Sequence, residues 1–294
     1  MQRVDQPLDP YAEGMRIATG LQDLDGPNVN PACRTRLFSH GERTMRAVIL
    51  LHGFTSCPQQ FEVLGRRLFD EGWNVLIPRY PRHGYTDRLN TTISQLRSDQ
   101  LVALANQSAN AAAGLGKHLT VAGLSLGGVL AAHLAQTHDK VERAVLIAPM
   151  FGLKRIPGPA HPLLTGLAYR LPNFYLWWDG RLKERLGPPH AYPRLSTHAY
   201  AALFKTASGV LKAASSASPK AGEIVVITNA AEPGMENRFT YELVEKWRRR
   251  GAAVSTFEFP ASDSLPHDLI DPANPDENTG LVYPVVARAI TGEL

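Results

Sequence analysis

The sequence predicts an α/β domain on a doubly wound, mostly parallel sheet. Three observations carry that expectation. Short apolar segments alternate with amphipathic helical stretches of about 10 to 15 residues, the rhythm of right-handed βαβ crossovers. The first clear strand, Arg46–Leu51 (Arg-Ala-Val-Ile-Leu-Leu), is a continuous apolar run, as a strand buried on both faces requires. Helical patterns stop at glycine, at Gly72 and again at Gly251.

Taken in order, Pro58 opens a helical stretch in which Phe61, Leu64 and Leu68 share a face, and Trp73–Pro78 reads as the next strand. A long helical pattern covers Ile93–Ala113. His118–Gly123 reads as strand, Leu126–Thr137 as helix and Val141–Ala148 as strand. Further on, Glu223–Thr228 is strand, Arg238–Arg250 is helix, Ala253–Phe259 is strand and Leu281–Ile290 is a closing helix.

Two segments break the rhythm. Residues 1–33 are rich in Pro, Asp and Gly and read as an irregular lead-in. Residues 151–195 carry Pro157, Pro159, Pro162, Pro172, Pro188, Pro189 and Pro193 beside Phe174, Tyr175, Trp177 and Trp178. An excursion of that length between strand and helix is too long for an ordinary loop, so it reads as a functional lid. The expected core is residues 34–150 with 196–294, and there is no internal repeat.

Composition excludes several classes. Residues are 44% hydrophobic and 20% charged, which describes a globular chain and not a disordered one. The net charge is +4, but basic residues are scattered. The one run, Arg248 to Arg250, ends a helix where cations complement the dipole, so nucleic acid is not an expected partner. No apolar run reaches the roughly 20 residues needed to span a bilayer. Residues 1–20 lack the apolar core of a signal peptide, and a cytoplasmic protein is expected. The two cysteines, Cys33 and Cys57, read as separate buried thiols, and no Cys/His cluster has zinc spacing.

The chemistry concentrates at strand ends. Gly123-Leu-Ser125-Leu-Gly127 follows an apolar strand and enters a helix directly. That is the setting of a nucleophile elbow, in which serine sits on a strained turn and small neighbours avoid collision. The helix start beneath it offers free N–H groups to a developing anion. Leu50-Leu51-His52-Gly53-Phe54 ends the first strand, and the backbone N–H groups of Phe54 and Leu126 are the expected oxyanion hole. His52 suits a structural role bonded to backbone better than that of a base.

His267, in Pro260-Ala-Ser-Asp-Ser-Leu-Pro-His-Asp-Leu-Ile-Asp271 after the last strand, can reach the serine from the same sheet edge, which makes it the expected base. Glu232 is the first carboxylate after strand Glu223–Thr228 and is the expected acid. Glu236, Asp263 and Asp268 are the alternatives. The acid would fix the imidazole tautomer and stabilise the imidazolium.

LLHGF, GLSLGG and SLPHD together resemble the bacterial carboxylesterase/monoacylglycerol-lipase branch of the α/β-hydrolases, from about Arg46 to the C-terminus. The resemblance implies an α/β-hydrolase fold and an ester substrate covered by a lid; the expected chemistry itself needs no cofactor or metal. It maps the nucleophile onto Ser125, the histidine onto His267, the hole onto Phe54 and Leu126, and the acid, usually aspartate, onto Glu232. Pro81-Arg82-His83-Gly84 departs from the Pro-Gly-His-Gly of many relatives, so a different loop path is expected there.

The expected reaction is two-step acyl transfer on a small-molecule ester with an apolar acyl group. Phe174, Tyr175, Trp177 and Trp178 would contact it, and peripheral contact with lipid is compatible with such a lid. A thioesterase, amidase or acyltransferase would use the same residues, and a ligand-binding homologue could keep the fold without the reaction.

Overall fold

The computed structural model describes residues 9–154, 166–168, 170–180 and 187–294. The chain begins with helix α1 (Pro10–Gln22), strands β1 (Arg36–Phe38) and β2 (Thr44–Leu51), helix α2 (Glu62–Asp70) and strand β3 (Asn74–Ile77). It continues through α3 (Ser98–Leu115), β4 (Gly116–Leu124), α4 (Leu126–Thr137) and β5 (Val141–Ile147). After β6 (Tyr175–Trp177) and β7 (Arg194–Ser196) come α5 (Thr197–Ala214), β8 (Glu223–Asn229), α6 (Asn237–Arg248), β9 (Val254–Phe259) and α7 (Thr279–Thr291).

Seven strands form one sheet in the order β1-β3-β2-β4-β5-β8-β9. All neighbours are parallel except β1, which runs antiparallel to β3. The expected doubly wound, mostly parallel sheet is therefore present. The apolar run in β2 divides its side chains between two cores. Val48 and Leu50 join α2 and α7 on one face, while Ile49 and Leu51 join α3 and α4 on the other. Alternation within an all-apolar strand is what burial of both faces produces.

The winding order positions the site. From β2 the chain steps outward to β3, then returns across β2 to pair with it as β4. Such a reversal leaves a crevice at the carboxyl ends of the two strands. The register pairs Leu51 with Gly123, so Phe54 and Ser125 leave the sheet side by side.

Several expectations need correction. The lead-in is not irregular: α1 occupies 13 of its residues, capped by the Asp9 carboxylate and opened by Pro10. Its glycines weaken intrinsic helix propensity, which hides it in the sequence. They also let it lie directly on α3, since a Cβ on Gly14 would stand 2.6 Å from the Ala111 carbonyl oxygen. Cys33 and Cys57 are not separate thiols but a disulfide, with Cα atoms 5.2 Å apart. Their separation of 24 residues gave no local sign of this. The antiparallel edge strand β1, the β6–β7 pair and helix α5 also went unread.

Pro157, Pro159 and Pro162, singled out in the expected lid, lie outside the described residues. Among the described residues, no helix is long and apolar enough to cross a membrane.

Candidate active site

Ser125 sits between β4 and α4 with φ 57° and ψ −111°. A left-handed backbone at a non-glycine residue costs about 1–3 kcal/mol and persists only where the surroundings enforce it. Here its N–H donates to Ile147 O at 2.9 Å, while its carbonyl accepts from Val129 N at 3.1 Å and Met150 N at 3.2 Å. The flanking glycines are steric necessities. A Cβ on Gly123 would collide with the Gly127 carbonyl, and one on Gly127 with the Leu51 carbonyl.

His267 follows β9 and faces Ser125, with Nε2 2.9 Å from the serine Oγ. Its Nδ1 lies 2.6 Å from Oε2 of Glu232, which follows β8. An ionised carboxylate only accepts, so Nδ1 carries the proton and Nε2 is left to accept from the hydroxyl. The other oxygen of Glu232, Oε1, accepts from the N–H groups of Gly234 and Met235, both at 3.1 Å. Asn229, which sequence reasoning passed over, ties these two loops together. Its Nδ2 donates to Leu265 O at 2.8 Å, and its Oδ1 accepts from Ala231 N at 2.9 Å. A polar residue ending an apolar strand was the available signal.

Charge follows geometry. Burial opposes ionisation of Glu232, but the His267 charge, its hydrogen bond and the two N–H donors outweigh it, and the carboxyl is held below its ordinary range. Burial likewise opposes the imidazolium of His267. The attraction and hydrogen bond of Glu232, with the Asp268 charge, overcome it and raise the pKa above its ordinary value.

The turn after β2 has its own fixed geometry. His52 is fully buried and stacks on Tyr80, with ring centroids 3.7 Å apart. Its Nε2 accepts from Tyr80 N at 3.3 Å, so Nδ1 carries the proton and donates to Gly53 O at 2.9 Å. Ser56 N reaches the same oxygen at 3.2 Å. Since the peptide is planar and trans, pinning Gly53 O on one side turns the Phe54 N–H to the other. Among the described residues, neither the Phe54 N–H nor that of Leu126 has a protein acceptor.

The remaining candidates fall elsewhere. Glu236 caps α6 through Arg238 N at 3.2 Å, and Asp263 lies in a short 3-10 turn. Asp268 bonds Gln60 at 2.9 Å, and His190 pairs with Asp271 at 2.6 Å. His83 is buried and neutral, its pKa pushed down to about 4 mainly by burial. Arg82 adopts φ 65°, so the turn keeps the backbone that glycine would take there.

Of the four aromatic residues expected to contact substrate, only Trp178 meets the turn after β2. Its ring stands perpendicular to Phe54 at 6.1 Å, and its Nε1 donates to Thr55 Oγ1 at 2.9 Å. Phe174 is exposed, Tyr175 bonds Thr91 O at 2.8 Å, and Trp177 lies opposite Arg194 in the β6–β7 pair. The sequence reading missed Tyr200 and Phe204. Tyr200 packs 6.0 Å from Phe54 and 4.9 Å from Phe204, two positions one turn apart on α5. No cluster of three or more His, Cys, Asp or Glu side chains suited to a metal ion occurs among the described residues.

Comparison with known proteins agrees with this architecture. One of the metagenome-derived lipolytic enzymes LipS and LipT superposes with a TM-score of 0.65 at 18% identity, covering 90% of this chain and 99% of its own. The monoacylglycerol lipase of Paleococcus ferrophilus superposes with a TM-score of 0.66 at 17% identity, covering 88% and 98%. A soluble variant of Saccharomyces cerevisiae monoglyceride lipase, in complex with a substrate analog, gives 0.64 at 12%, covering 88% and 91%. At these identities the likeness is one of fold. No curated protein sequence matches the chain. The sequence model of one family matches residues 48–277, most of the chain and all three of Ser125, Glu232 and His267. The protein therefore belongs to the alpha/beta hydrolase family.

Proposed function

We propose that this chain is a serine carboxylic-ester hydrolase that acts through an acyl-enzyme. One observation carries the reading: a hydroxyl on a strained elbow, 2.9 Å from an imidazole that is itself 2.6 Å from a buried carboxylate. In this reading His267 Nε2 takes the Ser125 proton as Oγ attacks the ester carbonyl. The N–H groups of Phe54 and Leu126 receive the negative charge that develops on the carbonyl oxygen. The imidazolium then protonates the departing alcohol, and water, deprotonated by the same nitrogen, releases the acid.

The substrate class is an ester with an apolar acyl or alcohol part. Phe54, Trp178 and Tyr200 supply aromatic surface beside the hole, with Phe204 packed behind Tyr200, and the Trp178 N–H is already satisfied by Thr55. The superposed lipases fit this reading. Residues 151–195 act as the lid, with Trp178 as the part that reaches the site. The Cys33–Cys57 disulfide favours an oxidising compartment over the cytoplasm expected from sequence.

Ser125→Ala tests the assignment. It abolishes turnover of p-nitrophenyl esters and labelling by a fluorophosphonate, and it leaves the unfolding temperature within a few degrees of the parent. Turnover retained in this variant overturns the nucleophile. A parent protein that resists the fluorophosphonate is a binding homologue and not an enzyme.

A further inference from the structure

Gln60 has no role in the reaction as described, yet it touches both of the loops on which that reaction depends. It lies in a 3-10 turn, Pro58–Phe61, seven residues beyond Gly53, and its side chain is buried. Its Oε1 accepts from Gly53 N at 2.7 Å, and its Nε2 donates to Asp268 Oδ1 at 2.9 Å. The first bond holds the peptide just before the one that carries the Phe54 N–H. The second holds the residue just after His267. Gln60 and Asp268 are 208 residues apart in sequence, and one amide joins the two loops.

The amide's orientation is fixed by its partners. Gly53 N can only donate, so it must meet the oxygen, and the NH2 group is left for the carboxylate. The surroundings of Asp268 make the bond consequential. Burial and the neighbouring Asp271 raise its pKa to about 7, against the pull of Gln60, His267 and His190. The bond from Gln60 is one of the interactions that favour the ionised form.

We propose that Gln60 is a positioning residue that holds the oxyanion turn and the base-bearing loop in fixed relation, with Asp268 as its anchor. This rests on the esterase reading above. Reaction geometry must hold to within a fraction of an ångström across both loops, because the oxyanion and the proton acceptor act on one tetrahedral centre. Each loop is secured on its own side, by His52 in one case and by Asn229 and Glu232 in the other. Gln60 joins the two halves.

The test uses Gln60→Met, which keeps the volume and removes both bonds, with Asp268→Leu, Asp268→Asn and the double variant Gln60→Met/Asp268→Leu. Two readouts are taken: kcat and KM for p-nitrophenyl acetate, and amide hydrogen exchange of peptides covering residues 49–57 and 263–271. Gln60→Met lowers kcat about 10- to 100-fold with KM changed less than about threefold, the pattern of an interaction felt in the transition state. Exchange rises in both peptides and not in the strands. At a pH above the acid limb, where losing the charge beside His267 no longer changes the fraction of neutral imidazole, Asp268→Leu matches Gln60→Met, the double variant is no worse than either, and Asp268→Asn, which keeps an acceptor, falls less.

Several results overturn the proposal: unchanged kcat in Gln60→Met, an additive double variant, or faster exchange in one loop alone. Exchange that rises throughout the chain marks Gln60 as a general stability residue and also overturns it. If the parent lacks esterase activity but Gln60→Met frees both loops together, the link stands and the esterase reading fails. If the loops respond separately in an active parent, the link fails and the esterase reading stands.

Discussion

Replacing Glu232 by glutamine puts the heaviest load on the proposed chemistry with the smallest change in shape. Oε1 of Glu232 faces two backbone donors, Gly234 N and Met235 N, each at 3.1 Å. In the variant those donors claim the amide oxygen, and the NH2 group falls opposite His267 Nδ1, where Oε2 now stands at 2.6 Å. An NH2 cannot accept, so Nδ1 must give up its proton and Nε2 must carry it. The nitrogen 2.9 Å from Ser125 Oγ is then a donor and no longer a base. A wrong-tautomer defect of this kind costs about 10⁴-fold in kcat, or roughly 5.5 kcal/mol at 1.36 kcal/mol per decade.

The pH profile gives an independent reading of the same variant. Glu232 helps to raise the His267 pKa, so kcat/KM of the parent falls as pH drops through a value above 6.5, where the ring protonates. Glu232→Gln removes that charge and shifts the acid limb downward. Stability moves with the carboxyl. Its folded pKa is depressed, so its contribution is present above the ordinary 4.5 and is lost as pH falls through the folded value. The variant lacks that acid-side loss. Turnover of p-nitrophenyl acetate across the pH range, with chemical unfolding alongside, measures all three. A kcat within tenfold of the parent, on an unmoved acid limb, refutes the role given to Glu232.

Two further outcomes follow from elements around the site. Cys33→Ser/Cys57→Ser opens a loop of 24 residues, and the chain-entropy relation gives a loss of about 3.5 kcal/mol. Urea unfolding reads it directly, and a loss below about 0.5 kcal/mol would mean the pair is not bonded in the folded protein. Trp178→Ala removes the aromatic face set perpendicular to Phe54; it raises KM for long-chain p-nitrophenyl esters about tenfold, as loss of apolar contact worth roughly 1.4 kcal/mol would. Acetate turnover changes far less, and equal effects on short and long esters would remove Trp178 from substrate selection.

The sequence alone determined the layered α/β plan, and it singled out the residues to which the proposed chemistry is assigned. Burial on both faces demands an apolar strand, and that demand is written in contiguous residues such as Ala47–Leu51. The elbow is equally local, because strain at Ser125 and crowding at Gly123 and Gly127 involve neighbours in the chain. Glu232 and His267 could be chosen from sequence because each follows a strand, and strand ends of one sheet share an edge.

What only the tertiary structure decided depends on pairings between distant segments. Helix α1 docks on α3 through Gly14 and Gly114, where two backbones touch, a contact no local propensity expresses. The disulfide needed Cys33 and Cys57 brought within bonding reach by the packing of the lead-in against the turn after β2. Which of the expected aromatic residues faces the site was set by the β6–β7 register and by α5, so Trp178 reaches Phe54 while Phe174 faces solvent. The bridge from Gly53 through Gln60 to Asp268 belongs to the same class. A glutamine in a turn has no periodicity, and the fold alone chooses the partners of its two hydrogen-bonding ends.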